Sequence, residues 1–336
     1  MTGDLFGPAI ASGSAGAAGT AEMPTPTRGS ILLSWTRRVV VVAVVASATF
    51  QLVRQWSDVS DALAELSWPR LLVSGIAVTA GVLLGPLVWQ SMLAALDVRV
   101  GVRDASKIYL VGQLGKYVPG SVMAILLQME LARSVGITRA RSFTASLLTA
   151  GVVVVASLLA GALAIPALVR NEPNLLWLFV LLPIGLAMLH PTPLTVAVNL
   201  LLRLLRRAPL SHRLSGAAVA RAAGLSVLTY ALYGVHLYVL AGSLRETWQL
   251  NGWLVLLLCV GSMGLAMTAG LVAFFLPSGI GARELVIVGG LTTVLPYGQA
   301  LALAVVSRLL FTVVELASAG AVTLVVRLYP GRQTQT

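Results

Sequence analysis

Residues 151–160 read Gly-Val-Val-Val-Val-Ala-Ser-Leu-Leu-Ala, with no charge and none of the polar/apolar alternation that a membrane-barrel strand requires. Uncharged runs of this kind recur along the chain. Several approach the length of about 20 residues that a helix needs to cross a hydrocarbon core of roughly 30 Å. In lipid, each backbone N–H and C=O must be satisfied within the protein, so spanning segments are helices or closed barrels. Unalternated runs select helices. Of 336 residues, 57% are hydrophobic and 10% charged, against roughly 25% charged in soluble domains. The expected fold class is an all-α polytopic membrane protein, multi-pass in a cell membrane.

Three parts are expected: a disordered tail over 1–30, a helical membrane domain over 31–329, and a short tail over 330–336. The first part is rich in Gly, Ala, Ser, Thr and Pro, with no basic region leading an apolar core, so it does not read as a signal peptide. Spans are expected at about 38–53, 71–95, 143–169, 174–190, 222–243, 252–276 and 299–327, about seven in all. Between the first two, Asp58, Asp61 and Glu65 alternate with Trp56, Val59, Leu63 and Leu66 at helical spacing, which reads as an amphipathic helix at the interface. The net charge of +11 sits mainly in short loops, the ordinary positive-inside pattern, and does not point to nucleic acid. The densest basic loop, with Arg203, Arg206, Arg207, Arg213 and Arg221, places the N-terminus in the cytoplasm. The few charges near Arg327 and Arg332 leave the side of the C-terminus open. Cys259 is the one cysteine, which excludes an intrachain disulfide and a cysteine-cluster metal site. No cofactor is expected.

Two apolar segments are broken: Gly112-Gln-Leu-Gly-Lys-Tyr-Val-Pro-Gly120 and Pro277-Ser-Gly-Ile-Gly281. Each comes after a complete span and leads into an apolar helix and another full span, so the chain reads as a pseudo-repeat with two re-entrant segments. Irregular backbone at membrane depth is tolerated only where protein or a wet cavity satisfies it. Gly/Pro-interrupted segments at matched places in two halves are the best sequence pointer to a transport site. The helix N-termini after the breaks would aim N–H groups and partial positive charge at an occupant. Two cytoplasmic turns of no special depth are the alternative.

Three acids lie in or beside long apolar stretches: Glu130, Glu284 and Glu315. Glu315 falls near the middle of the last span, where translocon scales set a cost of roughly 2.5–3.5 kcal/mol for an acid. Arg308 and Thr312 share its helix face, giving a polar stripe that points into the bundle. Arg308, Arg283, Glu284 and Glu315 are expected to line a headgroup path, with Gln128, Glu130 and Arg133 continuing it in the first half. Lys116, beside Pro119 and Gly120, offers a point charge to phosphate. Pro277, Gly279 and Gly281 form the second break. A structural ion pair or a protonated, hydrogen-bonded Glu315 is the competing reading, and for His236, mid-span between Tyr233 and Tyr238, hydrogen-bonded filler competes with a proton relay.

The order Gly115-Lys-Tyr-Val-Pro-Gly-Ser121, Gln128-Met-Glu-Leu-Ala-Arg133 and Leu276-Pro-Ser-Gly-Ile-Gly-Ala-Arg-Glu284 resembles the lysylphosphatidylglycerol synthase transmembrane-region family over about residues 31–329. The resemblance implies a flippase-like bacterial inner-membrane protein that binds or translocates lipids or lipid-linked glycans. The chain stops at Thr336, soon after the last span, so the aminoacyl transfer of fused members is not expected. Many members carry Gly-Glu soon after the first Pro-Gly, where this chain has Val122-Met-Ala124. Many also carry an acidic–basic pair where this chain has Leu147-Leu-Thr149. The first-half carboxylate role then passes to Glu130.

Three functions remain in competition. The first is a flippase-like transporter acting on a membrane lipid or lipid-linked saccharide. The second is a polyprenyl-phosphate-dependent glycosyltransferase using Asp58, Asp61 or Glu65 as base or metal ligand. The third is a non-transporting partner subunit of cell-envelope enzymes. No nucleophile triad or phosphate-binding P-loop marks an enzyme.

Overall fold

The computed structural model describes residues 66–117, 122–167, 190–204, 214–247, 250–273 and 279–328, with the single positions 60, 64, 183, 187 and 276. The expected spans at 38–53 and 174–190 fall almost wholly outside these residues, as do both tails, Asp58, Asp61 and Glu65. Among the described residues the chain forms nine α-helices and no strand. These are α1 (Trp68–Ala94), α2 (Val102–Gln113), α3 (Val122–Arg133), α4 (Arg139–Ala162), α5 (Pro191–Leu204), α6 (Gly216–Ala241), α7 (Gly252–Val272), α8 (Ala282–Leu291) and α9 (Tyr297–Leu328).

Five of them, α1, α4, α6, α7 and α9, are long and apolar enough to cross a membrane, and they match five of the expected spans. The chain is therefore an all-α, multi-pass membrane protein. The first break divides α2 from α3, with a 3-10 turn at Leu114–Tyr117. Each of these helices has 12 residues, about 18 Å of helix, too short to cross alone. The second break lies between α7 and α8, and Gly279 and Gly281 within it have positive φ, +65° and +88°. L side chains rarely adopt this conformation, so glycine is the residue that lets the chain turn there.

Helices α1 and α6 share the most extensive contact; α7 packs on α4, α6 and α8, and α9 on α1, α2 and α8. Lipid supplies no hydrophobic drive between helices, so close approach of small residues does much of this packing. At the α4–α7 crossing, Gly264 lies where a Cβ would meet the Ser157 carbonyl oxygen at 2.6 Å and the Ala160 Cβ at 3.0 Å. Helix α9 shows the two-sided logic most clearly. Leu309, Val313, Leu316 and Leu324 are exposed on one face, while Ala300, Ala304, Ser307, Phe311 and Ala319 are buried on the other. Spacings of three and four residues produce both stripes.

Gly264→Val is expected to lower stability by about 1–3 kcal/mol through overpacking, read as a lower unfolding temperature of the detergent-solubilised protein. Gly224→Ala, whose Cβ would meet nothing within 4 Å, should not lower that temperature and should raise it slightly, alanine being the better helix former.

Candidate functional site

Two apolar cores meet around Tyr109 of α2, which packs against both. Beside it the helices leave two cavity lobes of ≈ 220 and ≈ 320 Å³. The lobes share Tyr109, Gln113, Lys116, Val153, Met267 and Leu271 as lining, so they adjoin along one seam. The smaller lobe adds Tyr230, Tyr233 and Glu315. The larger adds Gln128, Ser146, Thr149, Gly279 and Arg283. Residues beside both broken segments therefore line the larger lobe.

Glu315 is not an isolated acid. Its Oε1 lies 2.6 Å from Lys116 Nζ, and its Oε2 accepts from the Tyr117 hydroxyl at 2.6 Å. The two charged side chains are 25% and 14% exposed, so the pair is drawn largely out of solvent. Lys116 and Tyr117 sit on the 3-10 turn of the first break, and the last span supplies their partner. On α9, Arg308, Thr312 and Glu315 are all partly buried, and the Thr312 hydroxyl donates to the Arg308 carbonyl at 3.0 Å, a bond within the helix.

The second break is organised differently from the sequence expectation. The Gly281 N–H donates to Glu284 Oε2 at 2.7 Å. Gly281 has no side chain to complete a reciprocal cap, so Glu284 alone serves the N-terminus of α8. That N-terminal charge is thus met by the chain's own carboxylate, whose other oxygen lies 3.5 Å from Arg308. Arg283 and Glu284 are neighbours, about 100° apart around the helix, and they face different surroundings. Arg283 is buried, with its guanidinium 4.0 Å over the Phe311 ring.

In the first half, Gln128 is buried, and its Oε1 accepts from the Ser146 hydroxyl at 2.7 Å, which in turn accepts from Trp89 Nε1 at 3.2 Å. Glu130 and Arg133 do not join it at the cavity. They are exposed, ion-paired to each other at 3.1 Å, and Arg139 reaches Glu130 at 2.6 Å. Two helical residues turn the chain by about 200°, so Gln128 facing inward sets Glu130 outward. The Arg139 hydrogen bond holds the Glu130 carboxyl below its ordinary range. Pro119, Gly120 and Pro277 lie outside the described residues. Tyr109, Gln113, Tyr117, Thr149 and Phe311 are not among the path residues expected from sequence; Gln113 and Tyr117 lie inside the first broken segment and Thr149 in a departure from the family pattern, which are the signals that mark them by position.

His236 is fully buried, with Nδ1 2.5 Å from Ser74 Oγ and Nε2 2.9 Å from Ser307 Oγ. Both ring nitrogens are engaged, so it ties α6 to α1 and α9. Among the described residues no group of three or more His, Cys, Asp or Glu could hold a metal ion.

A family model described as "Lysylphosphatidylglycerol synthase TM region" matches residues 37–319. No curated protein matches the chain.

Breaking one side of a buried pair strands the other charge. Glu315→Gln and Lys116→Met are each expected to cost about 2–3 kcal/mol, below the fully buried limit because both groups keep some exposure. The double variant should recover about half of the summed loss, a coupling of about 2–3 kcal/mol. Strict additivity in detergent unfolding would refute a coupled pair.

Proposed function

This chain belongs to the lysylphosphatidylglycerol synthase TM region family, and on that premise we propose that it carries a lipid or lipid-linked glycan across the bilayer by its headgroup. The observation that supports this is the position of Lys116. It lines both cavity lobes and is bonded to Glu315, which lines only one of them.

A headgroup that enters hydrocarbon loses its hydration, and charged groups at the bilayer centre cost from about 2.5 kcal/mol upward. A cavity carrying cations and hydrogen-bonding side chains offsets that loss, while acyl chains remain in lipid. An anionic group in the larger lobe competes with Glu315 for Lys116. Glu315 keeps the Tyr117 hydroxyl as a partner when Lys116 turns away. Return of Lys116 to Glu315 releases the anion. The ion pair then acts as an exchangeable counter-charge, and the seam shared by the lobes is the route along which the headgroup moves. Glu284 and Arg308 hold α8 against α9 and frame that route without lining either lobe.

The test is transbilayer movement of tail-labelled phospholipid in proteoliposomes, followed by quenching of the outer leaflet. The native chain should exceed protein-free vesicles by at least about tenfold, a barrier change of about 1.4 kcal/mol. The double variant Lys116→Met/Glu315→Gln, which strands no charge, should fall to the protein-free rate. Glu130→Gln, on the exposed face of α3, should move lipid as the native chain does. Equal rates for the native chain and the double variant would remove this proposal.

A further inference from the structure

Arg283 is 6% exposed, and its Nε and Nη2 find no hydrogen-bond partner among the described residues. A guanidinium cannot shed its proton in a protein, and buried charged donors without acceptors are costly. The nearby acids do not answer it: Glu315 is bonded to Lys116 and Tyr117, and Glu284 to Arg308 and the Gly281 N–H. The Phe311 ring covers one face of the guanidinium, but stacking leaves the in-plane N–H groups unused. Arg283 lines the larger lobe. Thr149 lines the same lobe, is 5% exposed, and its hydroxyl also lacks a partner.

Nε and Nη2 are the two nitrogens of one guanidinium edge, the fork that grips two oxygens of a single oxyanion side-on. Thr149 adds a neutral hydroxyl donor. Gln128, whose amide oxygen is occupied by Ser146, presents its amide NH2 as a further donor. The charges lining the two lobes are Arg283 and Lys116 against Glu315, an excess of one positive charge. One negative charge with two equivalent oxygens completes this arrangement.

We propose that the larger lobe is an oxyanion site, with Arg283 as its fork and Thr149 as a second donor, that holds the phosphodiester of a lipid with net charge −1. A phosphodiester has one ionisable oxygen pair and one charge. Free phosphate at neutral pH is a mixture of monoanion and dianion, so competition by the free ion, and not charge alone, separates it from the diester. An amine-bearing headgroup would bring back the positive charge that the site already has in excess. The inference rests on the reading of the cavity as a headgroup chamber, and it adds the class of headgroup.

The full chain in an uncharged detergent is titrated with radiolabelled dioleoyl phosphatidylglycerol, dioleoyl phosphatidylcholine, dioleoylglycerol and oleate, with sodium phosphate as competitor. Phosphatidylglycerol is expected to bind at least about tenfold tighter than dioleoylglycerol, and more tightly than phosphatidylcholine. Arg283→Lys keeps the charge but removes the fork, and should weaken phosphatidylglycerol about tenfold. Thr149→Val should weaken it about threefold and leave dioleoylglycerol unchanged. Equal binding of phosphatidylglycerol and dioleoylglycerol would overturn the site. Equal binding of oleate would overturn the phosphodiester, and displacement by millimolar phosphate would assign the site to the free ion instead. If Arg283 variants do not fold, the lipid series on the native chain and on Thr149→Val decides. Selective binding without transport would end the transport reading and leave this site standing. Transport with no selectivity for the phosphodiester would do the reverse.

Discussion

The ion pair between Lys116 and Glu315 holds together two parts of the chain that are 199 residues apart in sequence. A turn with a lysine at its end and a span with an acid at its middle are each unfavourable alone in a low-dielectric layer. Each becomes tolerable because the other is present. The pair thereby fixes where the 3-10 turn sits against α9, and the Tyr117 hydroxyl on the other carboxylate oxygen fixes its angle. Once that turn is placed, Tyr109 and Gln113 of α2 are carried to the seam between the lobes. The cavity is a consequence of that attachment as much as of any gap in packing.

The two breaks look alike as strings and differ as structures. The second carries its own carboxylate three residues past the turn, and Glu284 closes back on the Gly281 N–H. Arg308 then neutralises what remains of that carboxylate's charge, which binds α8 to α9. The first break draws its carboxylate from a distant helix instead. A self-capped segment is locally complete, whereas one that borrows its counter-charge can give it up to a competitor. On the proposed transport cycle, this difference would put the exchangeable charge at Lys116 and the fixed frame at α8.

Much of the architecture was legible in the sequence because hydropathy reports length and polarity, and those decide what crosses a bilayer. Five spans and the positions of both breaks follow from it, as does the inward face of α9 through Arg308, Thr312 and Glu315. Two kinds of information were not legible. The partner of a charge depends on tertiary contact, so nothing local joined Glu315 to Lys116 or Glu284 to Arg308. Facing also needs a phase: Gln128, Glu130 and Arg133 are close in sequence, but α3 is apolar on both sides and gives no stripe from which to choose. Glu130 was therefore expected at the cavity, though it forms a surface cluster with Arg133 and Arg139. Thr149 was visible only as a difference from a family pattern, and its unpartnered hydroxyl shows only in the folded lobe that it lines with Arg283.

Arg283 shows what this packing costs and what it preserves. An apolar side chain of similar volume would remove an uncompensated buried charge, and such replacements are often neutral or stabilising. Stacking on Phe311 offsets part of the cost, on the order of 2 kcal/mol for a desolvated cation over an aromatic face. The same ring is held edge-on by Tyr233 at 4.7 Å and by His236 at 5.4 Å, and His236 is itself fastened to Ser74 and Ser307. The arginine thus rests on a surface fixed from three helices, and its side-chain entropy is already spent before anything binds. The rigid ring holds the guanidinium plane and leaves the Nε–Nη2 edge without a partner among the described residues, which is the geometry the proposed oxyanion site needs.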